Sequence, residues 1–313
     1  MVKGRMLWID LCKAIGICLV VIGHFLPVAT PLKIIIYSFH VPLFIMISGY
    51  LTKTERTWAT HIRHRMNRLL LPYFGFAFVS LIYYAFDPIA WREMAIKFLY
   101  WHGETIWNDP IWYLFTMFII EAVGYALLRC IEKANKKAFA LGISIVFSVV
   151  IGYFIYQFRP DIFVLFGIDK ALCLLAFYLL GHVLRVTRFF ERKRFSQGVY
   201  SGAFLLMCIL TLIINWNNNI SVYHFDWNNY FVFLLTAAAG TVGLMGACQN
   251  AVTPKILKSL SKHTIFAMGT HYVFVKWGAK VILIDSLLLS LVVVALYIAG
   301  LSLWDKYIGK AAS

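Results

Sequence analysis

Long apolar stretches, broken by short polar connections, dominate the chain from Leu7 to Trp304. Each is near the roughly 20 residues that a helix needs to cross a hydrocarbon core. The pattern predicts ten spans, at about 7–28, 34–52, 69–87, 111–130, 138–157, 170–186, 198–215, 229–248, 264–282 and 285–304. The fold class expected is therefore an all-α integral membrane protein of about ten transmembrane helices. They occupy a single membrane domain over 1–313, with no appended soluble domain. The first stretch has no small-residue cleavage site after its apolar run, unlike a signal peptide.

The polar connections alternate in charge. Lys3 and Arg5 precede the first span. Lys53, Arg56, Arg63, Arg65 and Arg68 fill the second connection, Arg129, Lys133, Lys136 and Lys137 the fourth, and Arg185, Arg188, Arg192, Lys193 and Arg194 the sixth. Lys255, Lys258 and Lys262 mark the eighth, and Lys306 and Lys310 the tail. The connections between these are poor in cations or offset by acids: Asp87, Glu93, Glu104 and Asp109, then Asp161 and Asp169, then Asp226. By the positive-inside rule both termini face the cytoplasm. Composition agrees: the chain is 61% hydrophobic, 14% charged and 17% aromatic. The net charge of +15 could suggest nucleic acid, but its loop-by-loop placement reads as topology anchors facing anionic lipid. The six cysteines are scattered through the spans without ligand spacing, so neither a metal site nor a disulfide framework is expected.

Within this apolar background a few polar residues stand out. The first span contains "KAIGICLVVIGH", Lys13 to His24. Eleven residues are just over three helical turns, so both side chains leave nearly the same face, about 16 Å apart along the axis. Asp10 lies one turn before Lys13 on that face. Polar groups inside a bilayer usually face a bundle interior or a water-filled cavity. The plainer readings are that His24 is hydrogen-bonded at the outer interface and that Lys13 snorkels or pairs with Asp10. Glu121 is the one carboxylate well inside a span, where it requires a partner or a proton. The Ser48–Gly49 pair suits close helix approach.

The Lys13–His24 spacing resembles the basic-x10-His signature at the start of acyltransferase family 3. "IYSFHVPLFIMISGYL" (Ile36–Leu51) resembles the family's second-span block, with His40, Pro42, Ser48, Gly49 and Tyr50 in place. "RHRMNRLLLPY" (Arg63–Tyr73) resembles the basic entry to the third span, matching at Arg65, Arg68 and Pro72. "DPIWYL", "LLAFYLLGHVLR" and "LKSLSKHTIFAMGTHYVF" resemble later blocks, the last reaching His271. In length the chain is most similar to the fucose 4-O-acetylase branch. Many members have Arg at the position of Lys13, and Lys lacks the bidentate fork of a guanidinium.

The resemblance implies an acetyl-CoA-dependent O-acetyltransferase. It would modify a sugar hydroxyl of a surface polysaccharide or lipid-linked glycan on the extracytoplasmic side of the cell (inner/plasma) membrane. His24 would be the general base, with Lys13 and His40 as further catalytic residues. Arg65, Arg68 and Lys13 would contact the donor. Trp112, Glu121, Ser48, Tyr50, His271 and Asp10 would line the acceptor site. The partners implied are the glycan and the bilayer, with no nucleic acid and with homo-oligomerisation allowed; acetyl-CoA is the co-substrate, without a metal. A transporter or flippase using the Asp10, Lys13 and His24 stripe for a solute or protons is the competing reading, and a purely structural membrane subunit a third.

Overall fold

The computed structural model describes residues 6–83, 108–158, 165–192, 195–216, 218, 220–222, 224, 226–249, 251, 253–281 and 286–307. Lys3, Arg5, Asp87, Glu93, Glu104, Asp161, Lys193, Arg194 and Lys310, and the end of the span expected over 69–87, lie outside them. The described residues are overwhelmingly helical: α1 (Leu7–Phe25), α2 (Pro31–Leu51), α3 (Trp58–Arg65), α4 (Leu71–Tyr83), α5 (Trp112–Glu132) and α6 (Lys137–Phe158). α7 (Ile168–Val186), α8 (Gln197–Ile214), α9 (Tyr230–Cys248), α10 (Lys255–Lys262), α11 (Thr264–Val281) and α12 (Ser286–Tyr307) complete the set. Extended pairing among these residues is limited to an isolated antiparallel bridge between Ser221 and Asp226.

Each expected span coincides with one of these helices. Seven described helices are long and apolar enough to cross a membrane: α1, α2, α5 (taken with the turn Asp109–Ile111), α6, α8, α9 and α12. The three that fall short have evident reasons. α4 is described only to Tyr83, α7 carries Asp169, Lys170 and Arg185, and α11 carries His271, Lys276 and Lys280.

The helices show the burial expected of a bilayer protein rather than a soluble one. On α6 the exposed large apolar residues are Phe139, Ile143, Val146, Phe147, Val150, Phe154 and Phe158, a stripe at helical spacing. Leu141, Ser148 and Gly152 are buried on the same helix. An apolar outside with small and polar residues inside is the arrangement that lipid favours.

The chain divides into two compact units, Met1–Phe44 with Phe189–Ser313, and Ile45–Arg188. In the first, α1 packs against α9, α10, α11 and α12, so both faces of the opening helix are in contact with protein. Two glycines seven residues apart set its fit against α2. A Cβ on Gly16 would come within 2.9 Å of the Phe44 ring, and one on Gly23 within 2.9 Å of the Tyr37 ring. Phe44 and Tyr37 are also seven apart, so two aromatic knobs of α2 fill two holes left by glycine on α1. In the second unit α5 packs on α3 and α7, and α6 on α7. All six cysteines are free.

Candidate functional site

Three of the nine histidines meet in the first unit. His24 closes the last turn of α1. Its Nδ1 lies 3.2 Å from the Tyr37 hydroxyl of α2, an approach that Gly23 permits by having no side chain in the way of the Tyr37 ring. The His24 ring centroid is 5.0 Å from that of His271 on α11, and Tyr272 meets it edge-on at 5.8 Å. His40 stands one turn beyond Tyr37 on α2, with ring centroids 4.8 Å apart.

The hydrogen bonds fix two of the three tautomers. His40 Nδ1 is 2.9 Å from the Ile36 carbonyl, and His271 Nδ1 is 3.1 Å from the Ala267 carbonyl. A carbonyl only accepts, so each of these nitrogens carries the proton and each Nε2 presents a lone pair. Two cations border the cluster. The Lys33 ammonium sits 5.1 Å from the Tyr37 ring centroid and donates to the Leu26 carbonyl at 2.9 Å, and the Lys276 ammonium sits 5.1 Å from the Tyr272 ring centroid.

Lys13 and Asp10 share α1 with His24, roughly three turns nearer its start. Asp10 is buried and Lys13 half-buried. They are thus separate from the histidine cluster along the helix, as their spacing predicts.

The second unit holds a different assembly, built around Glu121. This carboxylate is 1% exposed and lies midway along α5. Ser48 of α2 donates to its Oε1 in a short hydrogen bond. His61 Nε2 of α3 is 3.3 Å from Oε2, and the Tyr178 hydroxyl of α7 donates to Oε2 at 3.5 Å. Arg65 Nε lies 3.2 Å from the same oxygen, off its N–H axis, so this contact is an ion pair rather than a hydrogen bond. The sequence expectation that Glu121 requires a partner is met several times over.

Local structure explains how Arg65 and His61 reach it. Thr57 caps α3, its hydroxyl accepting from the Thr60 N–H. The segment before α3 is anchored by the Tyr125 hydroxyl on the Arg56 carbonyl at 2.6 Å and by Arg129 on the Thr54 carbonyl at 3.0 Å. The His61 ring stacks on Tyr125 with centroids 3.7 Å apart and planes within 5°. After Arg65 the helix widens into a π turn over Met66–Leu70, where the Leu71 N–H bonds the Met66 carbonyl. Pro72 follows it. Proline supplies no N–H and crowds the carbonyl four residues back, and a wide turn just before it relieves that crowding. Such π turns recur at functional sites.

Arg68 lies in this turn, exposed, as is His64. Among the described residues no acceptor other than Glu121 meets Arg65. Partial desolvation of its ring, then the guanidiniums of Arg65, Arg56 and Arg68, hold the His64 imidazole below its ordinary value.

Among the other expected residues, Tyr50 is 2% exposed and its carbonyl accepts from Arg185 at 3.0 Å. Trp112 opens α5, edge-on to Tyr113 at 6.2 Å. The structure therefore brings together His24, His40 and His271 in one unit, and Ser48, Arg65 and Glu121 in the other. In the sequence Tyr37, Tyr178 and Tyr125 are indistinguishable from ordinary span aromatics. For Tyr37 a signal existed: it precedes His40 by three residues, and so shares its helical face.

No curated protein and no solved structure matches the chain significantly. The family model described as an acyltransferase domain matches residues 6–304, a stretch that takes in both clusters and all but the last turn of the final candidate span. The chain belongs to acyltransferase family 3 and is a multi-pass membrane acyltransferase.

Proposed function

We propose that the protein moves an acetyl group from cytoplasmic acetyl-CoA to a sugar hydroxyl of a surface polysaccharide or lipid-linked glycan, with His24 as the general base. The observation that carries this reading is a hydroxyl already seated on His24. Tyr37 Oη stands 3.2 Å from Nδ1, the distance and atom type that deprotonation of an acceptor alcohol requires. His24 takes the acceptor proton as the oxygen attacks the thioester carbonyl. The tetrahedral intermediate then collapses, the C–S bond breaks, and the imidazolium returns its proton to the departing sulfur. His40 and His271 complete the imidazole cluster around it.

The donor end of the reading rests on charge. Loop charge assigns the second connection to the cytoplasm, the compartment where coenzyme A thioesters are made. Arg65 and Arg68 lie in it, and guanidinium groups suit the phosphates of that donor. Glu121, held by Ser48, His61 and Tyr178, fixes Arg65 through its Nε. In this reading Glu121 and Ser48 set the geometry of the donor-side arginine instead of touching the acceptor. Lys13, on the cytoplasmic side of His24 along α1, in this reading contacts the donor, and Asp10, Trp112 and Tyr50 contact the acceptor. The acceptor hydroxyl is modified on the extracytoplasmic side of the cell membrane, without a metal.

Two measurements test the reading together. Mass spectrometry of surface glycans from cells with and without the gene should show an O-acetyl mass lost on deletion. Purified protein should release free coenzyme A thiol from acetyl-CoA when extracted glycan is added. Intact thioester, with movement of a solute across vesicles instead, would establish the transporter reading.

A further inference from the structure

His271 is fully buried, and its Nδ1 proton is committed to the Ala267 carbonyl at 3.1 Å. Its Nε2 therefore offers a lone pair, and that atom is buried without a hydrogen-bond partner. Unsatisfied buried acceptors are rare and need a reason. The ring next to it is His24, with centroids 5.0 Å apart and planes tilted by 51°. His24 has its Nδ1 turned to the Tyr37 hydroxyl, which leaves its Nε2 as the nitrogen able to meet another group. His40 is a useful contrast: it has the same backbone-fixed Nδ1, but its near ring is Tyr37 and its Nε2 is not an orphaned buried atom.

We infer that His271 is the positioning partner of His24: its Nε2 lone pair, unpartnered in the structure, receives the Nε2–H of His24 once the two adjacent rings turn toward each other, which makes Nδ1 the basic nitrogen and aims it at the place the Tyr37 hydroxyl now fills. The inference rests on His24 being the base. In the resting protein Tyr37 donates to Nδ1, and an acceptor hydroxyl displaces it. The acceptor proton moves to Nδ1, giving an imidazolium whose Nε2–H stays shared with His271. Collapse of the intermediate sends the Nδ1 proton to sulfur, and His24 returns to its starting tautomer. A neutral imidazole thus takes the place that a carboxylate holds behind the histidine of a hydrolase triad. It orients the ring and supports the charged form without placing a second full charge in the bilayer. The groups facing this pair are Tyr37, His40 and Lys33 from α2, and Tyr272 with Lys276 from α11.

The test uses full-length protein in lipid nanodiscs as wild type, His271→Ala and His271→Gln. Nitrogen-15 NMR of labelled histidine reads the His24 tautomer directly, and thiol release against pH reads the rate. Wild type should show His24 protonated at Nε2, and His271→Ala should show mixed tautomers. In His271→Ala, kcat should fall about 10–100-fold, KM for acetyl-CoA should not change, and the acid limb of the profile should move to lower pH. His271→Gln, whose amide oxygen can accept the same hydrogen bond, should recover the tautomer and most of the rate. A wild-type His24 protonated at Nδ1 overturns the inference, as does a His271→Ala protein with unchanged kcat and acid limb. The NMR readout decides the pairing even if wild type releases no thiol, whereas absent thiol release counts only against the acetyl-transfer reading. If His271→Ala does not fold, the wild-type tautomer and His271→Gln still decide.

Discussion

Replacing Gly181 by Ala, or Gly49 by Ala, should destabilise the second unit far more than an alanine in a helix ordinarily would. The two glycines face each other's helices. A Cβ on Gly181 of α7 would overlap the Met46 carbonyl oxygen of α2 and stand 2.9 Å from the Tyr50 nitrogen. A Cβ on Gly49 of α2 would overlap the Tyr178 carbonyl oxygen and stand 3.0 Å from the Tyr178 Cα. Every atom struck is backbone, so no side chain can rotate away and the helices must part. Overpacking usually costs about 1–3 kcal/mol, and a backbone clash belongs at the top of that range. Parting by roughly 1 Å also forfeits a quarter to a half of the dispersion at the contact. A cost of about 3 kcal/mol lowers an apparent melting temperature by roughly 6–12 °C on the scaling for chains somewhat shorter than this one. Tryptophan fluorescence during a thermal ramp in detergent reads it. Gly142→Ala on α6 and Gly300→Ala on α12 are the controls, since a Cβ at either meets nothing within 4 Å. Those two should be neutral or slightly stabilising. If Gly181→Ala melts with the controls, α2 and α7 do not cross at these glycines and the reasoning fails.

Other outcomes follow from the same geometry. Glu121→Ala should cost about 3–5 kcal/mol, because it strands the Arg65 charge and the donors of Ser48 and His61; Glu121→Gln, which keeps an acceptor, should melt higher than the alanine variant. Arg65→Lys and Arg68→Lys should each raise KM for acetyl-CoA about tenfold or more, since charge-assisted hydrogen bonds contribute roughly 1.5–3 kcal/mol, while the melting temperature stays near wild type. His64 should titrate below an ordinary histidine in the free protein, because partial desolvation and the neighbouring guanidiniums disfavour its charged form. An anion docking on Arg65 and Arg68 favours the imidazolium, so adding coenzyme A should move its NMR titration upward; an unchanged or lowered midpoint contradicts phosphate binding there.

Much of the architecture is written in the hydropathy of the chain, because a bilayer forces each span to be apolar along its whole length. Among the described residues each of the ten expected segments overlaps a helix, and the glycine beside Ser48 sits where two helices touch. Polar partners are another matter. Glu121 stands out in sequence as a carboxylate in a span. Its partners Ser48, His61 and Tyr178 are 73, 60 and 57 residues away, and no local period links them. Tyr37 looks like any belt aromatic until α2 folds back on α1 and its hydroxyl arrives at His24. The π turn at Met66–Leu70 leaves only an indirect trace, the proline that follows it. The Lys13 and His24 spacing exposes a polar face of α1 but not its neighbours, which come from α2 and from α11 near the far end of the chain.

The central claim is that His24 is the base of an acetyl transfer. It is tested most directly by thiol release from acetyl-CoA, with acceptor glycan present, by purified wild type and His24→Ala matched for melting temperature. The account predicts steady release by wild type and a loss of at least about 100-fold in the variant, the usual scale for removing a general base. A well-folded His24→Ala protein that releases thiol at the wild-type rate would contradict it.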